Sequence, residues 1–169
     1  MKLLKSVLAL TMLGILIAML GCATVQKGGG LSEQEAKALI EQYMQIPIGG
    51  DLALVDKLCT PDFTVHFVGI FPPIVGLEAV KRWAVGVRTA FPDINVKIDE
   101  TIIKGDRIIA FHTLTGTNTG PGQWSPTGKK IVIKGVSIGR IVDGKFAEML
   151  VYYNFAALLR QVGYTLTLQ

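Results

Sequence analysis

Two histidines and one strand-borne carboxylate are the groups of this 169-residue chain best suited to move protons. His66 stands in the run 64–68 (TVHFV), β-branched and aromatic, and histidine is the residue type best suited to pass a proton. His112 lies in a second such run, 108–119. Glu148 belongs to the last one, 145–154, where period-two alternation puts it on one face with Leu150, Tyr152 and Asn154. Turned into an apolar interior, Glu148 would have its pKa raised and act as a general base; turned outward, it is an ordinary solvated carboxylate. Each histidine has the same two readings, proton carrier or hydrogen-bonded structural residue. Trp83, Trp124, Tyr152 and Tyr153 have the aromatic surface to line a pocket for a small apolar molecule, or simply to fill a core. No Cys/His cluster has metal-ligand spacing, so no metal and no other cofactor is expected.

These groups need elements to position them. Ser32 to Glu35 form a capping box, and Ala36, Leu39, Ile40, Tyr43 and Met44 follow at helical spacing. Pro47 and Gly49-Gly50 stop that helix, and Asp51 caps a second one running to about Cys59. Leu77, Val80, Trp83, Ala84 and Val87 mark the inner stripe of a third helix, with Lys81, Arg82 and Arg88 facing water. From Ile94 the texture is that of strands: 94–103, 108–119, 129–141 and 145–154, with turns at 104–107 and at Asp143-Gly144. A short terminal helix ends at Gly163. The order is helices, a strand, a helix, then four strands of an antiparallel meander, a single α+β domain. Strands 131–141 and 146–153 are apolar on both faces, so both faces must be covered, by helices, a pocket or a second subunit.

The mean hydropathy of +0.44 is high, and the excess lies at the start. Lys2 and Lys5 precede an uncharged apolar run, 6–20, that ends in Met19-Leu20-Gly21-Cys22. A basic start, an apolar stretch and a small-residue site predict a secretory signal. The site resembles the lipobox of bacterial lipoproteins, which implies cleavage before Cys22 and a lipid anchor on its thiol. The expected organisation is a signal peptide at 1–21, a glycine-rich tether at 22–30 and one domain at 31–169. The protein would then sit lipid-anchored in the bacterial cell envelope. Ala23, by the same resemblance, implies the outer membrane facing the periplasm where the cell has two membranes. Cys59, the only other cysteine, is left without an intramolecular partner and is expected buried. Losing Lys2 and Lys5 from 17 basic residues leaves 15 against 13 acidic ones, a net +2, too weak a charge for a nucleic-acid partner.

Several short strings then occur in order over residues 35–164. They are Phe91-Pro92-Asp93, Gly116-Thr117-Asn118-Thr119-Gly120, Pro126-Thr127-Gly128-Lys129, Asp143-Gly144-Lys145 with Glu148, and Leu158 to Gly163 (LLRQVG). On this element order they resemble the SnoaL-like polyketide cyclases, or ester cyclases, of the nuclear transport factor 2-like superfamily. The resemblance implies a cone-shaped, curved antiparallel sheet wrapped by three N-terminal helices, a cystatin-like α+β roll around an apolar small molecule. It also implies a fold that pairs through its sheet into a homodimer. In that family an Asp just before the terminal helix is the acid and base of an intramolecular aldol condensation. The matching position here is Asn154, and the histidine of the family's GTHxG-type string is replaced by Asn118. Neither amide can take a proton near neutrality, though both can orient a carbonyl or an enolate. The expected catalytic set is therefore His66, Asn118, Glu148 and Asn154, with Trp83, His112, Trp124 and Tyr152 lining the ligand. The expected functions are a cyclase- or isomerase-type enzyme on a small carbonyl compound, a binder of such a compound, or an anchored dimerisation domain.

Overall fold

The computed structural model of the chain describes residues 31–123 and 125–165; the expected signal peptide, the Cys22 anchor and Trp124 lie outside the described residues. Helix α1 (Glu33–Met44) begins at the capping box. The Glu35 N–H donates to Ser32 Oγ at 3.3 Å, and the Ser32 N–H donates to Glu35 Oε2 at 2.8 Å. Its five-residue apolar stripe, Ala36 to Met44, is buried as expected. Where a stop was expected, a single further turn forms, α2 (Ile46–Gly49). Pro47 suits a first turn, whose N–H groups have no intrahelical partner anyway. Asp51 Oδ1 then accepts from the Ala53 N–H at 3.1 Å and opens α3 (Ala53–Leu58).

Strand β1 (Cys59–Phe67) is longer than its apolar signal, and a two-residue β2 (Ile74–Val75) pairs with it. Helix α4 (Leu77–Ala90) follows. The meander is β3 (Asn95–Lys104), β4 (Arg107–Thr117), β5 (Lys130–Val142) and β6 (Lys145–Tyr153), each antiparallel to the next. Asp143 and Gly144 have φ of 49° and 76°, the paired positive values of a type I′ hairpin turn. Helix α5 (Phe155–Val162) closes the described chain.

The six strands form one curved sheet in the order β2-β1-β6-β5-β4-β3. β1 lies parallel to β6, so a strand from before α4 docks onto the last strand of the meander. The inward face carries Phe63, Val65 and Phe67 of β1, Met149 and Val151 of β6, and Ala110 of β4, all buried. Helices α1 to α4 cover this face in one core, where Tyr43 of α1 meets Phe63 and Phe146 edge-on at 5.8 and 5.0 Å between centroids. Cys59 is buried here, and burial pushes its thiol up to about 12, which keeps it protonated and inert. A second core gathers Ala90, Phe91, Ile94, Ile131, Ile133 and Val162.

The first residues of β5 extend beyond the end of β6 and would leave an open strand edge. Gln161 of α5 fills it: the Val132 N–H donates to Gln161 Oε1 at 2.7 Å, and Gln161 Nε2 donates to the Val132 carbonyl at 3.1 Å. This pins α5 across one end of the sheet. Among the described residues no helix is long and apolar enough to cross a membrane.

Candidate functional site

Helix α4, the segment between β1 and β2, the start of α5 and the inner sheet face do not close completely on one another. Between them lies a cavity of about 370 Å³. Phe67, Ile70, Phe71 and Ile74 form one wall, Trp83, Val87 and Ala90 of α4 another, and Leu114 and Ile131 the sheet floor. Phe155 and Leu158 of α5 complete it. The helix side recedes at Gly86, where an added Cβ would meet no heavy atom within 4 Å. Few lining residues have polar side-chain atoms among the described residues: Tyr153, Gln123 and Trp83. No carboxylate and no imidazole lines it among the described residues.

Tyr153 is the candidate site residue that the sequence pattern undervalued. It points inward from the end of β6, its ring stacked against Phe67 at 6.4 Å and 24°. His112 on β4 and Gly135 on β5 face each other in the strand register, and Gly135 also faces Tyr153. Because Gly135 has no side chain, the tyrosine ring crosses β5 and its hydroxyl reaches His112 Nε2, 3.3 Å away. The other imidazole nitrogen, Nδ1, contacts the Ala110 carbonyl at 3.3 Å. A carbonyl only accepts, so Nδ1 carries the hydrogen. Burial lowers the His112 pKa from its ordinary 6.5, against weaker opposing pulls from the Ala110 carbonyl and Asp99. The ring is therefore neutral near pH 7. Burial likewise raises the Tyr153 phenol above its ordinary 10, so it stays protonated.

One rim of the cavity is the loop that residues 118–123 and 125–128 belong to, with Gly122 and Gln123 in the lining, and Asn118 is its fastener. The Asn118 side chain is fully buried and spent on backbone and loop. Its Oδ1 accepts from the Thr127 N–H and Oγ1, both at 3.1 Å, and its Nδ2 donates to the Ala90 carbonyl at 3.4 Å. Asp93 holds the strand end just before it, accepting from the N–H and the hydroxyl of Thr117, each at 2.6 Å. Those bonds lower the Asp93 pKa. Gly120 runs so close to α4 that an added Cβ would stand 1.7 Å from the Thr89 carbonyl oxygen. The loop is thus sewn to the end of α4, with Gly122 and Gln123 left over the cavity.

The other expected site residues are dispersed. His66 and Glu148 do come together, with His66 Nε2 at 3.5 Å from Glu148 Oε1, but on the outer face of the sheet. Arg107 and Arg140 reach the same carboxylate at 3.7 and 3.6 Å. Neither His66 nor Glu148 lines the cavity, because Val65, Phe67, Met149 and Val151 take the inward positions beside them. Tyr152 is outward too, in a second hollow with Phe111 and Val136 that His112 and Tyr153 also border. Asn154 has left the strand: it is the N-cap of α5, its Oδ1 accepting from the Ala157 N–H at 2.9 Å. Trp83 lines the cavity and packs on Phe67 at 5.5 Å. His112 stands behind Tyr153, off the lining itself. No group of three or more acidic, His or Cys side chains able to hold a metal occurs among the described residues.

The SnoaL-like polyketide cyclase family matches this chain over residues 37–162. Among solved structures, a candidate SnoaL-like polyketide cyclase of Jannaschia sp. CCS1 superposes with a TM-score of 0.72 at 19% identity, covering 81% of this chain and 99% of that one. AclR, a candidate hydroxylase of Streptomyces galilaeus, gives 0.69 at 26% identity over 82% of this chain and 87% of its own. A candidate polyketide cyclase of Bacillus cereus ATCC 10987 gives 0.66 at 25% identity over 79% and 85%. No curated protein sequence matches the chain significantly.

Proposed function

Because the chain belongs to the SnoaL-like polyketide cyclase family, we propose that it holds a small, apolar, oxygen-bearing molecule in the cavity beneath α4, as a binding protein and not as an aldol cyclase. The lining carries this reading. It is large enough for a compact polycyclic ligand, apolar almost throughout, and among the described residues only Tyr153 brings a hydroxyl to orient it. Aldol closure needs a base at the reacting carbon, and among the described residues this lining offers no carboxylate or imidazole. The fold alone does not choose a reaction, since its relatives here are named both for cyclase and for hydroxylase chemistry. The test is calorimetric titration with naphthalene-sized compounds of the wild type and of Leu114→Trp, which plugs the floor. Binding lost in a Leu114→Trp protein of normal melting temperature supports the reading; binding unchanged by the plug overturns it.

A second reading, isomerase-type proton transfer, rests on one contact: the Tyr153 hydroxyl beside His112 Nε2. Turnover of an unsaturated ketone, abolished alike by Tyr153→Phe and His112→Phe, would select it over simple binding.

Two further features belong to this proposal. The basic start, the apolar run and Met19-Leu20-Gly21-Cys22 support an envelope lipoprotein anchored through Cys22, and Ala23 supports the outer membrane where the cell has two membranes. Mass spectrometry of the amino-terminal peptide should find acyl chains on Cys22, and Cys22→Ser should release the protein from membranes. The outer sheet face carries Phe111, Val132 and Tyr152 exposed, which supports pairing of two copies through the sheet. Light scattering should then give a dimer for the wild type and a monomer for Val132→Asp.

A further inference from the structure

The hydrogen-bond polarity of the Tyr153–His112 pair restricts what the cavity can hold. His112 Nδ1 must donate to the Ala110 carbonyl, and a neutral imidazole has only one N–H. Nε2 therefore presents a lone pair, and the hydrogen in its contact with Tyr153 is the phenolic one. With that hydrogen committed, the tyrosine oxygen has only lone pairs to offer a ligand. Tyr153 is also the one hydroxyl-bearing residue of the lining among the described residues.

We infer that the cavity selects molecules that present a hydroxyl or enol hydrogen to Tyr153, and disfavours ketones and ethers of the same shape. An acceptor-only ligand would have to take the phenolic hydrogen away from His112, leaving a buried imidazole nitrogen unpaired. Gly135 is part of the device, since any side chain there would part the two rings. The inference rests on the proposed reading of the cavity as a ligand site and deepens it from an oxygen-bearing ligand to a hydrogen-donating one. Gln123 and Trp83 bring donors of their own to the lining, so the discrimination must be traced to Tyr153 directly.

The full-length chain is titrated calorimetrically near neutral pH with 2-naphthol, 2-methoxynaphthalene and naphthalene. The expected order has 2-naphthol tighter than the other two by about tenfold, as one net hydrogen bond allows. In Tyr153→Phe that gap should close, 2-naphthol falling to the affinity that naphthalene has for the same variant. A gap that persists in Tyr153→Phe, or equal affinities of naphthol and its ether for the wild type, overturns the inference and leaves the cavity reading standing. Failure of all three compounds to bind overturns both. Nitrogen NMR of the His112 ring gives an independent check: a hydrogen on Nδ1 and none on Nε2 is expected, and the opposite tautomer overturns the inference.

Discussion

Tyr153 lies across Gly135 so closely that a Cβ built on the glycine would stand 2.4 Å from the tyrosine Cε1 and 2.9 Å from His112 Nε2. Gly135→Ala should therefore cost about 1–3 kcal/mol, the usual penalty of overpacking a filled interior. It should also push Tyr153 away from His112. Denaturant unfolding checks the first effect, and the position of the His112 ring nitrogens by NMR checks the second. An alanine variant as stable as the wild type would mean that the ring does not sit where described.

Gly86 is the opposite case. It lies in the middle of α4, lines the cavity, and has open space where a Cβ would go. Gly86→Ala should stabilise the protein by about 0.5–1 kcal/mol, because alanine loses less backbone entropy in a helix. Gly86→Phe should fill the cavity and abolish titratable binding of naphthalene-sized compounds. A paired rise in melting temperature and loss of binding across the two variants is the expected signature.

His112 makes stability depend on pH with a definite sign. It is neutral in the fold with its pKa lowered, whereas in the unfolded chain it titrates at the ordinary 6.5. Unfolded chains thus bind the proton first as pH falls. Stability is full above 6.5, declines below it, and stops declining once the folded-state pKa is passed. The lowered carboxylates Asp93 and Asp99 act further down, below the ordinary 3.8. Urea unfolding from neutrality down to the carboxylate range should show a loss in the wild type that His112→Gln lacks.

Asn154 tests the family chemistry. Its side chain caps α5, and aspartate caps as well as asparagine does. Asn154→Asp should therefore leave stability nearly unchanged and still produce no aldol turnover, since the carboxylate would bond the Ala157 N–H outside the cavity. Asn154→Ala should cost about 1 kcal/mol. Turnover gained by the aspartate variant would show instead that the cap can swing to a substrate.

The local grammar of the fold was readable without coordinates. The capping box at Ser32, the stripe of α1, the Asp143-Gly144 turn and the four-strand meander all follow from short-range pattern. The parallel pairing of β1 with β6 was not, because no turn or crossover motif links segments so far apart. The site suffered for a related reason. Period two put Glu148, Leu150, Tyr152 and Asn154 on one face, and the first three lie there while Asn154 caps α5. But Met149, Val151 and Tyr153 on the other are just as apolar. Only tertiary packing decides which set turns inward. The decision sent His66 and Glu148 outside together and brought Tyr153 in. A register shift between Arg140 and Ile141 adds to the difficulty: it lets Phe146 and Met149, three residues apart, both be fully buried. The one sequence signal for the inner pair was Gly135 itself, a glycine inside a strand, which often marks a close approach.

The pairing of Val65 with Met149 has a consequence for the order in which the molecule assembles. The meander contacts span short stretches of chain and can form early, whereas β1 must wait for the last strand to exist before it has an edge to join. Helices α1 to α3, ahead of β1 in the chain, share its core with Phe146 and Met149 and cannot bury their stripes before then. The amino-terminal half is thus made first and finished last, and during synthesis its apolar surface stays uncovered until nearly the whole chain has emerged.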